Sequence, residues 1–302
     1  MLLHVWGNGS QVALFDPECL AAVYFVSRLH LDQVTILPDS NYQGSFNGKL
    51  PFLVTDDGKQ IPGYKSIVRY LQSERSNQFD QLDQSDRLEL VNSGFIEFLL
   101  EKFTVITEYN LFLNKDNYVE YTRPLFKQLA PFPLQYKPPM DLRADATRRC
   151  ENYGITADDS FNEENSEEME KLKAQERELR ETPILNDIQK NHVTKNLNLL
   201  AAKKSILTNM KCLTMLDEIM VEYTQLESQL HANTTSMILF FCFLKSNTLS
   251  ELPSSFVLHY LTENHPELMD KSEQVFEKFD DHVANGTLSL ASVFKHVTSV
   301  YI

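Results

Sequence analysis

Lys49-Leu50-Pro51-Phe52-Leu53-Val54-Thr55, followed by the turn Asp56-Asp57-Gly58 and then Lys59-Gln60-Ile61, reads as a β-hairpin closed by a Gly-containing acidic turn. A proline at the very start of a strand removes no ladder donor. An X-Pro bond entering a strand from a loop makes Leu50-Pro51 a candidate cis peptide. Upstream, Leu3-His4-Val5-Trp6 forms a short strand, and Asp16-Pro17 supplies a helix cap with proline at the first helical position. Leu20, Val23, Tyr24 and Leu31 then share one helical face, ahead of a β-branched strand, Val34-Thr35-Ile36-Leu37. Downstream of the hairpin, residues 64–73 form a helix carrying Ile67, Val68, Tyr70 and Leu71.

The order is therefore strand, helix, strand, loop, hairpin, helix. A crossover through the first helix makes the first two strands parallel and the hairpin antiparallel, so the sheet is mixed. This βαβ-ββα order is that of a thioredoxin-like domain, assigned to residues 1–76. Beyond it strand signals fade and helical spacing dominates, which assigns residues 80–302 to an all-α domain and the whole chain to the α+β class. Helices are expected over 86–113, 118–129, 141–153, 184–205, 213–230, 235–244, 254–261, 266–282 and 288–300. The four prolines of Pro131-Phe132-Pro133-Leu134-Gln135-Tyr136-Lys137-Pro138-Pro139 exclude a helix there and make an ordered corner if the aromatics are buried. Residues 158–180 are almost free of large apolar side chains. The composition allows a solvated single helix or a mobile connector and favours a mobile excursion, bounded at 155–182.

The chain has 302 residues, 42% of them hydrophobic, and a formal net charge of -14. That charge repels phosphate backbones and anionic headgroups, so nucleic acid is excluded as a partner. Cys19, Cys150, Cys212 and Cys242 stand apart, without a C-x-x-C pair, as structural reduced thiols. The longest apolar run, Met237-Ile238-Leu239-Phe240-Phe241-Cys242-Phe243-Leu244, is far short of the roughly 20 residues of a spanning helix and reads as a buried core helix. The opening residues carry no signal peptide or Arg-rich presequence.

No nucleophile elbow, zinc helix or phosphate-binding loop is present, and the closest histidines, His259 and His265, are wrongly spaced for a shared metal. No catalytic residue, cofactor or metal site is assigned.

Two local patterns resemble the glutathione transferase superfamily. Lys49-Leu50-Pro51-Phe52-Leu53 looks like its cis-proline strand entry, with Leu50 and Pro51 as the structural pair. Gly63-Tyr64-Lys65-Ser66-Ile67-Val68-Arg69-Tyr70-Leu71 looks like its E-S-x-A-I-x-x-Y-L helix. In active members the Glu-Ser pair grips the γ-glutamyl end of glutathione; here Gly63 and Tyr64 stand in those positions. Ser10 is the nearest residue to the thiol-activating hydroxyl that such members carry after the first strand. Ser10, Gly63 and Tyr64 are thus degenerate glutathione-site positions.

A more specific resemblance runs from Thr107-Glu108-Tyr109-Asn110-Leu111-Phe112-Leu113-Asn114-Lys115-Asp116-Asn117-Tyr118 through Leu125-Phe126 to Phe132-Pro133-Leu134-Gln135-Tyr136. With Leu3-His4-Val5-Trp6-Gly7, it is similar to the metaxin-type, glutathione-transferase-like subunit of the fungal mitochondrial sorting and assembly machinery. The resemblance implies a non-enzymatic peripheral subunit on the cytosolic face of the mitochondrial outer membrane, supporting β-barrel protein insertion and precursor release. The partners it implies are a transmembrane β-barrel subunit, a second metaxin-like subunit, a receptor of the outer-membrane translocase and β-barrel precursors. Membrane attachment is expected through those partners. The alternatives are a glutathione-dependent transferase, which Gly63 and Tyr64 oppose, and a glutathione-transferase-like interaction module of another cytosolic assembly.

Overall fold

The computed structural model describes residues 1–9, 11–28, 31, 33–40, 42–74, 86–156, 174, 187–231 and 234–286. Strand β1 (Leu2–Asn8) is the centre of a mixed sheet. It pairs in parallel with β3 (Thr35–Asp39), Leu3 opposite Ile36, and antiparallel with β4 (Phe52–Val54), Leu3 opposite Leu53. β4 and β5 (Gln60–Pro62) close the hairpin, Leu53 opposite Ile61. A two-residue strand that the periodicity did not reveal, β2 (Gln11–Val12), folds back on the end of β1. That fold-back requires Gly7, because a Cβ there would lie 2.3 Å from the Gln11 carbonyl oxygen.

Helix α1 (Pro17–Arg28) is the crossover. The Asp16 carboxylate accepts the Cys19 N–H at 2.8 Å, the cap expected of that residue. Helix α2 (Tyr64–Glu74) follows the hairpin. Among the described residues the main helices of the helical region are α3 (Asp86–Glu108), α4 (Arg123–Leu129), α5 (Lys137–Glu151), α6 (Asp187–Glu227), α7 (Thr235–Asn247), α8 (Phe256–Asn264) and α9 (Pro266–Gly286). The architecture is the expected one, a small mixed sheet followed by a mostly helical region. One continuous hydrophobic core runs through both.

The apolar run Met237–Leu244 is the hub of that core. Every one of its side chains is buried, with α1 and α3 both packed on α7. Phe243 stacks on Phe103 at 4.9 Å, and Phe240 on Tyr223 at 4.4 Å between ring centroids. Among the described residues no helix is long and apolar enough to cross a membrane.

Several expectations are corrected. The helices expected at 184–205 and 213–230 are one continuous helix, α6, because no glycine or proline interrupts Ile206 to Cys212. The proline corner is partly helical. Pro138 and Pro139 sit in the first turn of α5, where a missing N–H is an orphan donor anyway. The corner is also not closed by buried aromatics, since Phe132 and Tyr136 are exposed. The helices expected at 86–113 and 118–129 widen into π-helical turns at Tyr109–Leu113 and Tyr118–Thr122. Ile155, placed by composition at the start of the excursion, is buried, and its N–H donates to the Cys150 carbonyl at 3.0 Å. Apart from residues 155, 156 and 174, the excursion at 155–182 lies outside the described residues, as do Ser10 and the helix expected at 288–300.

Candidate functional site

The turn from β5 into α2 sets the geometry. Gly63 adopts φ 75°, and its N–H donates to the Pro51 carbonyl at 2.9 Å, tying the helix entry to the strand entry. The Leu50–Pro51 peptide is cis. The first free N–H of α2, that of Tyr64, is taken by Glu18 of α1, whose Oε2 accepts it at 3.0 Å. A helix N-terminus is a natural anion site, and here the anion is the protein's own carboxylate. The Tyr64 side chain turns away from this spot. Its ring is fully buried, and its hydroxyl donates at 2.8 Å to the carbonyl of Thr235 at the start of α7. Asn92 of α3 braces the same point: Nδ2 donates to Thr235 Oγ1 at 2.6 Å, and Oδ1 accepts the Ser236 N–H at 3.0 Å. Gly63 and Tyr64 are therefore joints between sheet and helices. Ser10 lies outside the described residues.

The cleft beside this joint is lined by Trp6, Glu18, Leu50, Glu108, Phe112 and Arg149, among others, and its volume is about 100 Å³. Small-molecule sites typically measure roughly 300–1,000 Å³. Burial, reinforced by the neighbouring Glu18 charge, raises the Asp16 carboxyl to about 7. Burial also raises Glu18, against the opposing pull of the Tyr64 N–H and the Arg149 and Lys49 charges. Glu108 is raised to about 7 as well. Arg149 Nε stands 3.4 Å from its Oε2 but makes no hydrogen bond to it, so desolvation outweighs the ion pair. These three acids were not singled out from sequence. Their shifts come from tertiary burial, and only the cap role of Asp16 left a local signal.

The cleft can hold protons, but it is poorly equipped for thiol chemistry. Cys19 is buried and its thiol is pushed well above the ordinary range, whereas a reactive cysteine is a thiolate with a lowered value. All four cysteines are buried and none is in a disulfide. Among the described residues no three ligand-type side chains are placed to hold a metal ion.

The stretch from Thr107 to Thr122 does its chemistry inside the protein. Asn117 is fully buried. Its Nδ2 donates to the Asn110 carbonyl and Oδ1, both at 2.9 Å, and to the Ser254 carbonyl at 3.0 Å. Its Oδ1 accepts the Ser254 N–H at 2.7 Å. Asn110 reaches on to Asn247 Oδ1 at 3.2 Å, and Asn247 Nδ2 donates to Thr107 Oγ1 at 2.7 Å. This asparagine chain satisfies polar groups around the two π-helical turns and fastens them to the far end of α7. Downstream of that stretch, Phe132, Leu134, Tyr136 and Met140 are exposed apolar side chains at the proline corner and the start of α5.

Two family profiles match the chain. One, Tom37, described as "Outer mitochondrial membrane transport complex protein", matches residues 19–143; the other, described as "Tom37 C-terminal domain", matches residues 160–300. The chain is 30% identical to metaxin-1 of Mus musculus over 176 residues, which cover 58% of this chain and 53% of the relative. It is 29% identical to metaxin-1 of Homo sapiens over 136 residues, covering 45% of this chain and 28% of the relative. Metaxin-3 of Xenopus laevis is 26% identical over 149 residues, covering 49% and 47%. The chain thus spans about half the length, or less, of the curated relatives it matches.

Proposed function

Because this chain belongs to the Tom37/metaxin family of the mitochondrial outer-membrane transport machinery, we propose that it acts there as a non-enzymatic peripheral subunit of the sorting and assembly machinery. In this reading it sits on the cytosolic face and supports insertion and release of β-barrel precursors. It is held by the transmembrane β-barrel subunit, pairs with a second metaxin-like subunit and bridges to a receptor of the outer-membrane translocase.

The observation that carries the non-enzymatic reading is the internal occupation of the glutathione-binding corner. Glu18 takes the Tyr64 N–H, and the Tyr64 hydroxyl is spent on the Thr235 carbonyl. An incoming γ-glutamyl carboxylate meets a carboxylate where it needs a donor, beside a cleft of about 100 Å³. What remains is a sheet and helices joined by hydrogen bonds and a shared core, suited to holding partners. The exposed corner of Phe132, Leu134, Tyr136 and Met140 supports this reading, since aromatic anchors dominate the energetics of protein interfaces.

Two measurements test the proposal together. Calorimetric titration with glutathione is expected to give no binding heat. Mitochondria depleted of the protein are expected to accumulate imported β-barrel precursors at an unassembled stage. Micromolar glutathione binding, or unchanged assembly after depletion, overturns it.

A further inference from the structure

The overall charge of -14 conceals a stretch of opposite sign. Between Asp187 and Asp217 the sequence holds five lysines and no carboxylate, all within the single helix α6 (Asp187–Glu227). On that helix Lys195, Leu199, Lys203, Ile206 and Met210 follow at i, i+4, i+8, i+11 and i+15, within about 80° of arc, and Leu207 flanks them. Leu199 is 58% exposed, Ile206 59%, Leu207 50% and Met210 60%. Lys195 and Lys203 are exposed too. The opposite face of α6, with Cys212, Leu216, Ile219 and Tyr223, is buried in the core. Ordinary amphipathic patterning thus accounts for one side of the helix and leaves an exposed apolar stripe, roughly 17 Å long from Leu199 to Met210, on the other.

We propose that this outer face of α6 rests on an anionic lipid surface, with Leu199, Ile206, Leu207 and Met210 in the headgroup boundary and Lys195 and Lys203 reaching lipid phosphates. The charge of this face separates lipid from a protein seam. Lys195 borders the stripe and Lys203 lies between Met210 and Leu207, and no carboxylate accompanies them from residue 188 to residue 216. A facing protein helix would have to bring acidic partners for both ammonium groups or bury Lys203 at a steep desolvation cost. At a bilayer surface the aliphatic stems lie along the stripe and lift the charges to the headgroup layer. The first carboxylate beyond the stripe, Asp217, is engaged by the Tyr260 hydroxyl. This contact adds to attachment through partner subunits and does not depend on the proposed part in β-barrel assembly.

Flotation of the purified protein with phosphatidylcholine vesicles, with and without phosphatidylinositol, tests the proposal. The protein is expected to float with the anionic vesicles, to stay behind with neutral ones, and to be released by salt. A Lys195→Gln, Lys203→Gln double variant, both changes at exposed positions, is expected to bind roughly 25-fold more weakly, about fivefold per lysine, with its melting temperature unchanged. Leu199→Ser with Met210→Ser is expected to weaken flotation without altering its salt dependence. No flotation, equal flotation with neutral vesicles, or full binding by the lysine variant overturns the proposal. So does a result in which these variants leave vesicle binding intact and instead loosen a protein partner. Normal β-barrel assembly by a variant that no longer floats would leave the proposed function standing.

Discussion

Replacing Asn117 with alanine removes a fully buried amide whose Nδ2 and Oδ1 together serve the Asn110 carbonyl and Oδ1, the Ser254 carbonyl and the Ser254 N–H. The two Asn110 groups are fully buried and are left without this side-chain partner, whereas Ser254 is half-buried. Each unsatisfied buried group costs about 1–3 kcal/mol, and a small cavity adds to the loss. The expected total is about 3 kcal/mol, a fall in Tm of roughly 6–12 °C for a protein of this size. Thermal unfolding followed by circular dichroism reads it directly, with the exposed Glu120→Ala as a control expected to stay within about 0.5 kcal/mol. A fall below about 2 °C would show that the asparagine chain does not fasten the π-helical turns to α7. The structural account of the Thr107 to Thr122 stretch would then be wrong.

Asp16 and Glu108, each raised to about 7, bind more protons in the folded than in the unfolded state between about pH 4 and about pH 7, and Glu18, raised by burial, acts in the same direction. Their contribution to stability is therefore greatest at low pH and declines as pH rises through 7. Glu108→Gln is expected to raise stability at pH 8 by on the order of 1–3 kcal/mol and to flatten the pH dependence; a variant less stable than the parent at pH 8 contradicts this. Tyr64→Phe, which removes the hydroxyl that donates to the Thr235 carbonyl, is expected to cost about 1 kcal/mol in denaturant unfolding; no loss would mean the joint is made elsewhere. Phe240→Ala, removing the stack on Tyr223 and the tilted contact with Phe103, is expected to cost about 3–5 kcal/mol, and a cost under about 1 kcal/mol would remove α7 from the centre of the core.

What local patterning encodes was legible in the sequence. The hairpin turn at Asp56-Asp57-Gly58, the Asp16 cap and the apolar run from Met237 to Leu244 each carry their signal within a few residues, and the sheet order follows from them. What tertiary contact decides was not. A glutamate reads as solvated until packing buries it, so Glu18 and Glu108 passed unnoticed. Gly63 and Tyr64 were readable as misfits to a glutathione grip, but the direction of the tyrosine ring depended on a carbonyl 171 positions away. Nothing local marked the asparagines of the 107–122 stretch as core: Asn110 fell within an expected helix and Asn114 and Asn117 between two, and asparagine favours turns on its own. Only their mutual pairing across α3, α7 and the π-helical turns turns them into core. Pro138 and Pro139 misled for a related reason, since proline ends a helix or begins one according to position.

The central claim is that the protein is a scaffold subunit held on the outer membrane by specific partners. The measurement closest to it is isolation of the affinity-tagged protein from mitochondria in mild detergent, with the co-purifying subunits identified and quantified. The account predicts a fixed-ratio complex containing a transmembrane β-barrel subunit and a second metaxin-like protein, weakened by Phe132→Asp with Tyr136→Ala at the exposed corner. Recovery of the protein alone, or with partners unrelated to the outer membrane, would contradict it.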